Sequence, residues 1–305
     1  MTDVVVALDV GGTGIKSALV RRDGAVHHAE RHPTGAHAGP AAVIDTIVSI
    51  ADGLARRARD EGLRPVGLGV AVPGVIDEAA GVAVWSANLG FREVPLRDLL
   101  AERVGLATAL GHDVRAGGLA EVRLGAAQDC RYVLFVAIGT GIAAAQVVDG
   151  VALAGAHGAA GEIGHIVVRP GGPRCGCGQF GCLEAVASAA ALGRRYTELV
   201  GTPVTAADLA AHAAAGDTKA ADLWQDAVEA LADGLLLAQT MYDTEVMVIG
   251  GGLSEAGAYL LDPLRVALRD RLTFHREPRL VRAALGDGAG RLGAALLALD
   301  SLEAP

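Results

Sequence analysis

The alternation of predicted strands and helices along this 305-residue chain indicates an α/β fold. Residues 4–24 and 132–150 resemble each other, since each contains an apolar strand, a Gly-Thr-Gly-Ile turn, a second strand and an Asp-Gly turn. An Asp-Gly pair between apolar runs is a strong hairpin signal. We interpret the two segments as an internal duplication that gives two lobes, each opening with a β-hairpin. The alternative is a chance match, which segments this short also give.

The remaining elements follow from hydrophobic periodicity and from Gly and Pro positions. Helices are expected at residues 41–59, 94–104, 117–124, 206–214, 221–240, 255–272 with a break near Pro263, and 292–302. Strands are expected at residues 63–72, which lead into a Pro73-Gly74 turn, and at residues 245–249. No Pro/Ser-rich linker separates the lobes, so we expect a hinge inside the fold.

Composition excludes several classes of function. Apolar residues make up 51% and charged residues 20%, as expected for a folded domain. The net charge is −9 and no Lys/Arg-rich stripe is present, which disfavours nucleic acid as a partner. No apolar run is long enough to span a membrane, and no signal-peptide pattern is visible at the start. We therefore expect a cytoplasmic protein.

A cluster of one histidine and three cysteines is the most specific feature of the chain. His165 lies ten residues before Cys175, and Cys177 and Cys182 follow within eight positions. Such a set can fill a tetrahedral zinc shell, and a cytoplasmic location favours metal binding over disulfides. The alternative is that these cysteines are small core residues. The glycines at 176, 178 and 181 argue for a turn-rich knuckle instead.

Glycine-rich turns after strands form a second class of candidate site. The turn from Asp9 to Gly14 and the Gly139-Thr140-Gly141 turn can each direct backbone N–H groups at an anion. The first turn is not a P-loop, because it lacks the Gly-Lys-Ser/Thr ending, and it is not a dinucleotide-binding turn, because a strand pattern follows it. Two equivalent turns suggest a nucleotide held by both lobes. Gly250–Gly252 offers a third approach, or is an ordinary strand-to-helix turn.

Together these residues resemble the ROK family of bacterial sugar kinases and sugar-responsive repressors, most closely its glucokinase branch. The matching stretches are A-L-D-V-G-G-T-G-I-K at 7–16, V-P-G-V-I-D at 72–77, A-N-L-G at 87–90, the Asp113 segment, G-T-G at 139–141, G-A-A-G-E-I-G-H at 158–165, C-G-C-G-Q-F-G-C-L-E at 175–184 and V-I-G-G-G-L-S at 248–254. The E-x-G-H and C-x-C-G-x-x-G-C-x-E motifs are specific to the family, whereas the glycine turns are not.

The resemblance implies a two-lobed actin/hexokinase-like ATPase fold of the ribonuclease H-like class, with an interlobe cleft and a structural zinc. It implies a small N-terminal lobe of residues 1–115 plus 290–305 and a large C-terminal lobe of residues 116–289. It further implies ATP-Mg²⁺ phosphorylation of a hexose and assembly as a homodimer or homotetramer. Glucose is the leading substrate, followed by N-acetylglucosamine or N-acetylmannosamine, with ATP or polyphosphate as donor.

The resemblance also implies roles for individual residues. Asp113 would be the catalytic base, although on sequence alone it is equally an N-cap of the next helix. The implied substrate ligands are Asn88, His112, Asp113, Glu162, His165 and Glu184; Asn88 is otherwise a turn residue, and the two glutamates are otherwise solvated. The implied nucleotide-binding residues are Asp9, Gly11, Gly12, Thr13, Lys16, Gly139, Thr140, Gly141, Gly250, Gly251 and Gly252. The implied zinc ligands are His165, Cys175, Cys177 and Cys182.

Two departures from the family pattern bear on the substrate and the activity. His112 stands where the family usually has an asparagine that contacts the sugar, and a histidine could carry charge near pH 6.5. Ala143-Ala144-Ala145 follows the second turn, where further glycine is usual. These changes are the only support for a non-catalytic sugar sensor. A repressor of the same family is disfavoured, because the first turn begins at Asp9 and leaves no room for a helix-turn-helix.

Overall fold

The computed structural model describes residues 2–303 of the chain. The strands are β1 (Thr2–Val10), β2 (Gly14–Arg21), β3 (Val26–Pro33), β4 (Leu63–Val72), β5 (Val75–Asp77), β6 (Val82–Ser86), β7 (Phe91–Val94), β8 (Thr108–His112), β9 (Tyr132–Ile138), β10 (Ile142–Val148), β11 (Val151–Ala152), β12 (Val246–Gly250) and β13 (Arg279–Arg282). The helices are α1 (Pro40–Asp60), α2 (Leu96–Val104), α3 (Asp113–Leu124), α4 (Leu183–Ala187), α5 (Ala189–Val200), α6 (Ala206–Ala214), α7 (Thr218–Tyr242), α8 (Ala258–Arg269) and α9 (Ala289–Glu303). The prediction of an α/β fold is confirmed.

The chain divides into two compact units. The first unit contains residues 1–124, 151–160 and 287–305, and the second contains residues 125–150 and 161–286. The limits implied by the resemblance placed residues 116–289 in the second lobe, whereas residues 116–124, 151–160 and 287–289 group with the first unit. The structure groups α3 with the first unit because α3 packs on α9: a Cβ on Gly293 would lie 1.9 Å from the carbonyl oxygen of Ala116.

The first unit is built on a sheet with strand order β3-β2-β1-β4-β8. β1 pairs antiparallel with β2, as the hairpin prediction requires, and parallel with β4. Apolar residues of β1, β4 and α1 form its core, including Val6, Leu68 and Ile47. α9 lies directly on the sheet, since a Cβ on Gly69 would lie 1.9 Å from the carbonyl oxygen of Ala294. This packing places the carboxyl ends of β1 and β8, with Asp9 and His112, in a rigid frame.

The second unit repeats this arrangement. Its sheet contains β10, β9, β12 and β13 in that order, with β9 antiparallel to β10 and parallel to β12. Both predicted hairpins are therefore present, and the order of the strands matches that of the first unit. Helices α4 to α8 cover the sheet with an Ala- and Leu-rich core that includes Leu231, Leu235 and Leu264. The interpretation as an internal duplication agrees with this shared topology.

The predicted break near Pro263 is wrong, because α8 runs through this residue from Ala258 to Arg269. Proline has no N–H to donate to the carbonyl four residues earlier, which normally leaves that carbonyl unsatisfied. Here the indole N–H of Trp224 donates to the carbonyl oxygen of Tyr259 at 3.3 Å. The helix therefore tolerates the proline, and residues 252–256 before it form a 3₁₀ turn instead of the expected helix start.

Among residues 2–303, no helix is both long enough and apolar enough to cross a membrane.

Candidate functional site

The first glycine turn is a tightly closed loop with charged groups at its base. Gly11 N–H donates to the Gly14 carbonyl at 2.9 Å, which closes the loop between β1 and β2. Lys16 Nζ lies 3.5 Å from Asp9 Oδ2 and also forms an ion pair with Asp287. Burial raises the pKa of Asp9 to about 6, although the neighbouring Lys16 lowers it. The turn thus combines backbone N–H groups with a lysine and a carboxylate that is costly to ionise.

Thr34, which was not predicted, and the predicted sugar ligand Asn88 both lie against this turn. The buried Thr34 donates its hydroxyl to the Gly11 carbonyl at 2.6 Å, and its N–H donates to Thr13 at 3.2 Å. Asn88 lies beside the turn, since a Cβ on Gly12 would be only 3.1 Å from the Asn88 Cβ. Asn88 itself is exposed in the turn between β6 and β7. Thr34 carried no sequence signal, because it lies on a separate segment after an edge strand.

Asp113 begins α3, directly after the last residue of β8. Its Oδ1 accepts the N–H of Val114 at 2.7 Å, so the alternative of a local contact at the helix start is also present. Burial raises the pKa of Asp113, while the Val114 N–H and the Arg115 cation oppose this effect. Asp113 also raises the pKa of Asp9 through its charge. The first unit therefore brings the predicted base and the predicted phosphate turn close together.

His112 is a buried residue of this cluster, with 4% of its surface exposed. Burial and the neighbouring Arg115 lower its pKa to about 3, so the expectation that it carries charge near neutral pH is wrong. Its Nδ1 accepts the N–H of Arg115 at 3.4 Å, which places the ring proton on Nε2, 3.4 Å from Asp113 Oδ1. The neutral ring is therefore held against the predicted base.

An ion pair between the buried Arg115 and Glu78, which sequence reasoning missed, contacts His112. Arg115 is only 3% exposed, and its Nε donates to Glu78 Oε1 at 2.9 Å. The same carboxylate oxygen accepts the N–H of His112 at 3.1 Å, and the guanidinium donates to the Gly158 carbonyl at 3.0 Å. Removing Glu78 would leave the buried Arg115 cation without its carboxylate partner. No spacing rule links these residues, because they meet only in the folded unit.

In the second unit, the four predicted metal ligands converge on one point. One ligand atom from each of His165, Cys175, Cys177 and Cys182 lies within 4.8 Å of all the others. Cys177 Sγ is 3.7 Å from Cys182 Sγ, and Cys175 Sγ is 3.5 Å from His165 Nδ1. A tetrahedral zinc with Zn–S bonds of about 2.3 Å requires donor separations of about 3.5 to 3.8 Å. The donor set and its spacing fit a zinc ion.

The knuckle has the backbone conformation that its glycines predicted. Gly178 and Gly181 have φ values of 97° and 76°, and a Cβ on Gly181 would lie 1.6 Å from the Arg169 carbonyl oxygen. Leu183 N–H donates to the Ile166 carbonyl at 2.9 Å, which joins the cysteine segment to the histidine segment. Burial and the adjacent thiols raise the pKa of Cys182 to about 12. A bound cation would reverse this cost by stabilising the thiolates.

The predicted sugar ligands of the second unit surround this knuckle. His165 directs Nδ1 toward the cysteines and Nε2 toward Glu162, whose Oε2 is 3.8 Å away. Glu184 is the second residue of α4, directly after the ligand Cys182 and Leu183. Its Oε2 accepts the N–H of Ile142 at 3.0 Å, next to the second glycine turn. The unit thus brings Glu162, His165 and Glu184 to one region with the Gly139–Gly141 turn.

The second and third glycine turns lie side by side. Gly139 N–H donates to the Gly141 carbonyl at 2.9 Å, which repeats the closure of the first turn. Gly251 has a φ of 78°, and a Cβ there would lie 2.5 Å from the Ile138 carbonyl oxygen.

A cavity of about 660 Å³ adjoins the third turn. Its lining includes Arg194, Thr197, Thr205, Trp224, Gly252 and Glu255 among several alanines. These mostly apolar walls with a few polar groups suit an aromatic base with a ribose.

Comparison with known proteins places these features in a family. The model of the ROK family matches residues 5–301. A glucokinase of Thermotoga maritima is 35% identical, with 95% of this chain and 96% of that protein covered. An N-acetylmannosamine kinase of Citrobacter koseri is 34% identical, with 96% of this chain and 97% of that protein covered.

Two solved structures share the fold over nearly the whole chain. A ROK hexokinase from Thermus thermophilus is 36% identical, with a TM-score of 0.86 over 98% of this chain and 99% of the other. A ROK family glucokinase from Streptomyces griseus, solved with glucose and AMPPNP, is 28% identical, with a TM-score of 0.85 over 97% of this chain and 99% of the other. These neighbours confirm the expected actin/hexokinase-like fold class. The chain belongs to the ROK family.

Proposed function

We propose that this protein is an ATP-dependent sugar kinase that transfers the γ-phosphoryl group to a hexose hydroxyl, with glucose as the leading substrate and glucose 6-phosphate as the product. The observation that carries the proposal is the cluster in the first unit. There β4 pairs with both β1 and β8, so that Asp9 lies opposite Ala71 and His112 lies opposite Val72. Asp113, which follows His112, is thereby brought to the same edge of the sheet as the phosphate turn. The family relatives named above, which include glucokinases, support the same reaction.

Asp113 is proposed to act as the general base. Its carboxylate accepts the proton of the attacking sugar hydroxyl, the sugar oxygen forms a bond to the γ-phosphorus, and ADP leaves with the electrons of the broken P–O bond. Burial raises the pKa of Asp113, which makes the carboxylate a better proton acceptor. His112 is proposed to hold this carboxylate in place. Contact with the sugar is a second proposed role of His112.

The phosphate groups are proposed to bind to backbone N–H groups of the two closed turns. Gly12 and Thr13 would provide them in the first unit, and Thr140 and Gly141 in the second, while the N–H groups of Gly11 and Gly139 close the turns and hold their shape. Lys16 supplies a positive charge, and Asp9 would hold Mg²⁺ through water, since hard oxygen donors suit that ion. When bound with ATP, Mg²⁺ would neutralise charge on the phosphates. Gly250, Gly251 and Gly252 with the adjoining cavity would bind the adenosine.

Sugar recognition is assigned to side chains that bridge neighbouring hydroxyls. Asn88 would serve in the first unit, and Glu162, His165 and Glu184 in the second. His165 would bind zinc through Nδ1 and present Nε2 to the sugar, because the structure directs these nitrogens to opposite sides. Zinc would hold the knuckle together and take no part in the chemistry. Metal loading would thereby determine whether the sugar ligands are in place.

An N-acetylhexosamine kinase is the second candidate. The supporting observation is that the N-acetylmannosamine kinase of C. koseri is nearly as similar to this chain as the glucokinase of T. maritima. Identity of 34% against 35% does not separate the two substrates.

The test is ADP release by the zinc-loaded protein with ATP-Mg²⁺ and a panel of hexoses and N-acetylhexosamines. Parallel reactions replace ATP with polyphosphate and follow sugar phosphate formation. We expect turnover with glucose and little with N-acetylmannosamine. Turnover confined to an N-acetylhexosamine would select the second candidate. No turnover with any sugar or donor would contradict the kinase assignment.

A further inference from the structure

Glu184 makes a contact that a sugar ligand alone does not need. Its Oε2 accepts the N–H of Ile142, the first residue after the Gly139–Gly141 turn, at 3.0 Å. The same oxygen lies directly over the turn, because a Cβ on Gly141 would be 2.4 Å from it. A hydrogen bond to a charged acceptor is among the stronger contacts available to a backbone amide. The carboxylate therefore holds the position at which the phosphate turn joins β10.

The peptide that carries the metal ligand His165 packs on the same strand. A Cβ on Gly164 would lie 2.1 Å from the Ile142 carbonyl oxygen and 3.3 Å from the Glu184 Cβ. Two residues along the strand, Ala144 N–H donates to the Gly161 carbonyl at 2.7 Å. A side chain at position 164 would therefore clash with the strand. The knuckle and the second phosphate turn are thus in direct contact within one compact unit.

The other end of the turn is held from the same side. Ala189 N–H, at the start of α5, donates to the Gly139 carbonyl at 2.9 Å. Ser188, which caps α5 by accepting the Ala191 N–H, follows α4 without a gap. A single run of chain from Cys182 to Ala189 therefore contacts the turn at Gly139 and at Ile142.

We propose that Glu184 is a positioning residue for the nucleotide turn as well as a ligand for the sugar. One carboxylate oxygen, Oε2, holds Ile142, and the other accepts a sugar hydroxyl. The inference rests on the proposed function, since it assigns the turn to ATP phosphates. Because one rigid carboxylate serves both ligands, sugar binding and nucleotide binding affect each other through it, and such coupling is reciprocal.

The test measures the affinity of AMPPNP-Mg²⁺ by calorimetry without sugar, for the wild type and four zinc-loaded variants. Glu184→Gln keeps an oxygen at the same reach, so we expect nucleotide affinity within about twofold of wild type and glucose affinity lowered about tenfold. Glu184→Asp keeps the charge but is one methylene too short, and Glu184→Ala removes the group. For both we expect nucleotide affinity lowered about tenfold. Glu198→Ala removes an exposed carboxylate of α5 and is the matched control.

The outcomes separate this inference from the function on which it rests. Nucleotide affinity of Glu184→Asp and Glu184→Ala equal to wild type, with weakened glucose binding, would overturn the positioning role and leave the kinase assignment intact. A wild type that binds no nucleotide would overturn both. Because Glu184→Ala could lose zinc or fold poorly, metal content and the melting temperature are measured for each variant. The comparison of Glu184→Asp with Glu184→Gln then decides the result.

Discussion

The two glycine turns share one backbone device and differ in what surrounds it. In each, a glycine N–H closes the loop onto the carbonyl two or three residues later. The first turn has a partly buried carboxylate, Asp9, and the lysine Lys16 at its base. The second turn has no charged residue of its own and is supported by Glu184 and the knuckle. The two turns therefore share a scaffold, but the first carries charge and the second is supported by the segment that contains the predicted metal ligands.

This comparison predicts that metal removal affects the second turn most. Stripping zinc with a chelator should release His165 and Glu184 together, so we expect glucose affinity to fall by more than about 100-fold. AMPPNP affinity should fall as well, and the melting temperature should drop. Titration of metal content against glucose binding measures the effect, with readdition of Zn²⁺ as the control. Normal glucose binding by the metal-free protein would contradict the role of the knuckle.

Matched methyl additions in the two turns should have unequal effects. Gly141→Ala places a Cβ 2.4 Å from Glu184 Oε2, whereas Gly12→Ala places one 3.1 Å from the Asn88 Cβ at an exposed turn. Asn88 can shift by a few tenths of an ångström, but Glu184 is held by Ile142. We expect nucleotide affinity to fall about 30-fold in Gly141→Ala and about threefold in Gly12→Ala. Equal losses in calorimetry would show that the turns are supported alike.

The charged turn should respond to pH. The pKa of Asp9 is raised from 3.8 in the unfolded chain to about 6 in the folded protein. Ionisation of Asp9 therefore lowers the free energy of unfolding, progressively between about pH 4 and about pH 6, and the full loss is present above about pH 6. Asp9→Asn should therefore stabilise the ligand-free protein at pH 7 by about 1 to 3 kcal/mol and have little effect at pH 4. Urea unfolding at both pH values measures the difference.

The pH dependence of the activity should be opposite to that of the stability. Asp9 must be ionised to hold Mg²⁺, so kcat/KM for the wild type is expected to fall as the pH decreases through about 6. Asp9→Asn, although more stable, should be nearly inactive at every pH. If Asp9→Asn is instead less stable than the wild type at pH 7, the main role of Asp9 is its ion pair with Lys16.

The smallest expected effect concerns the support of the first turn. Thr34→Val removes the hydroxyl that donates to the Gly11 carbonyl at 2.6 Å and keeps the side-chain volume. Losing one neutral hydrogen bond to a buried carbonyl costs about 1 kcal/mol. We expect KM for ATP to rise about threefold to fivefold with kcat little changed. Thr34→Ser, which keeps the hydroxyl, should behave as wild type; if it is impaired like the valine variant, packing and not the hydrogen bond is responsible.

Local signals predicted much of the fold. Residues 63–72 and 206–214 match β4 and α6 to the residue, because an apolar run ends at Pro73 in the first case and Thr205 caps the helix in the second. β3 was missed because its three histidines, Glu30 and Arg31 leave no apolar run. α8 was predicted to break at Pro263 because the compensating indole comes from α7, far along the chain.

In the candidate site, too, local features could be predicted and contacts between distant segments could not. The metal ligands and the glycine turns have short, regular spacing, so they can be recognised from the sequence alone. Arg115 with Glu78, Thr34 with Gly11, and Glu184 with Ile142 are contacts between distant segments. The sequence allowed His112 a charge near pH 6.5, because its burial beside Arg115 cannot be read from the sequence. The roles of the individual site residues, the oligomeric state and the cellular location stay predictions.

The most direct test of the account is the kinetics of Asp113→Asn with ATP-Mg²⁺ and the sugar that the wild type phosphorylates. The variant keeps the hydrogen bond from Val114 but cannot accept the sugar proton. We expect kcat to fall by about 10³-fold, with the affinities for sugar and AMPPNP within about threefold of wild type. Retention of kcat within about tenfold would contradict the assignment of Asp113 as the base.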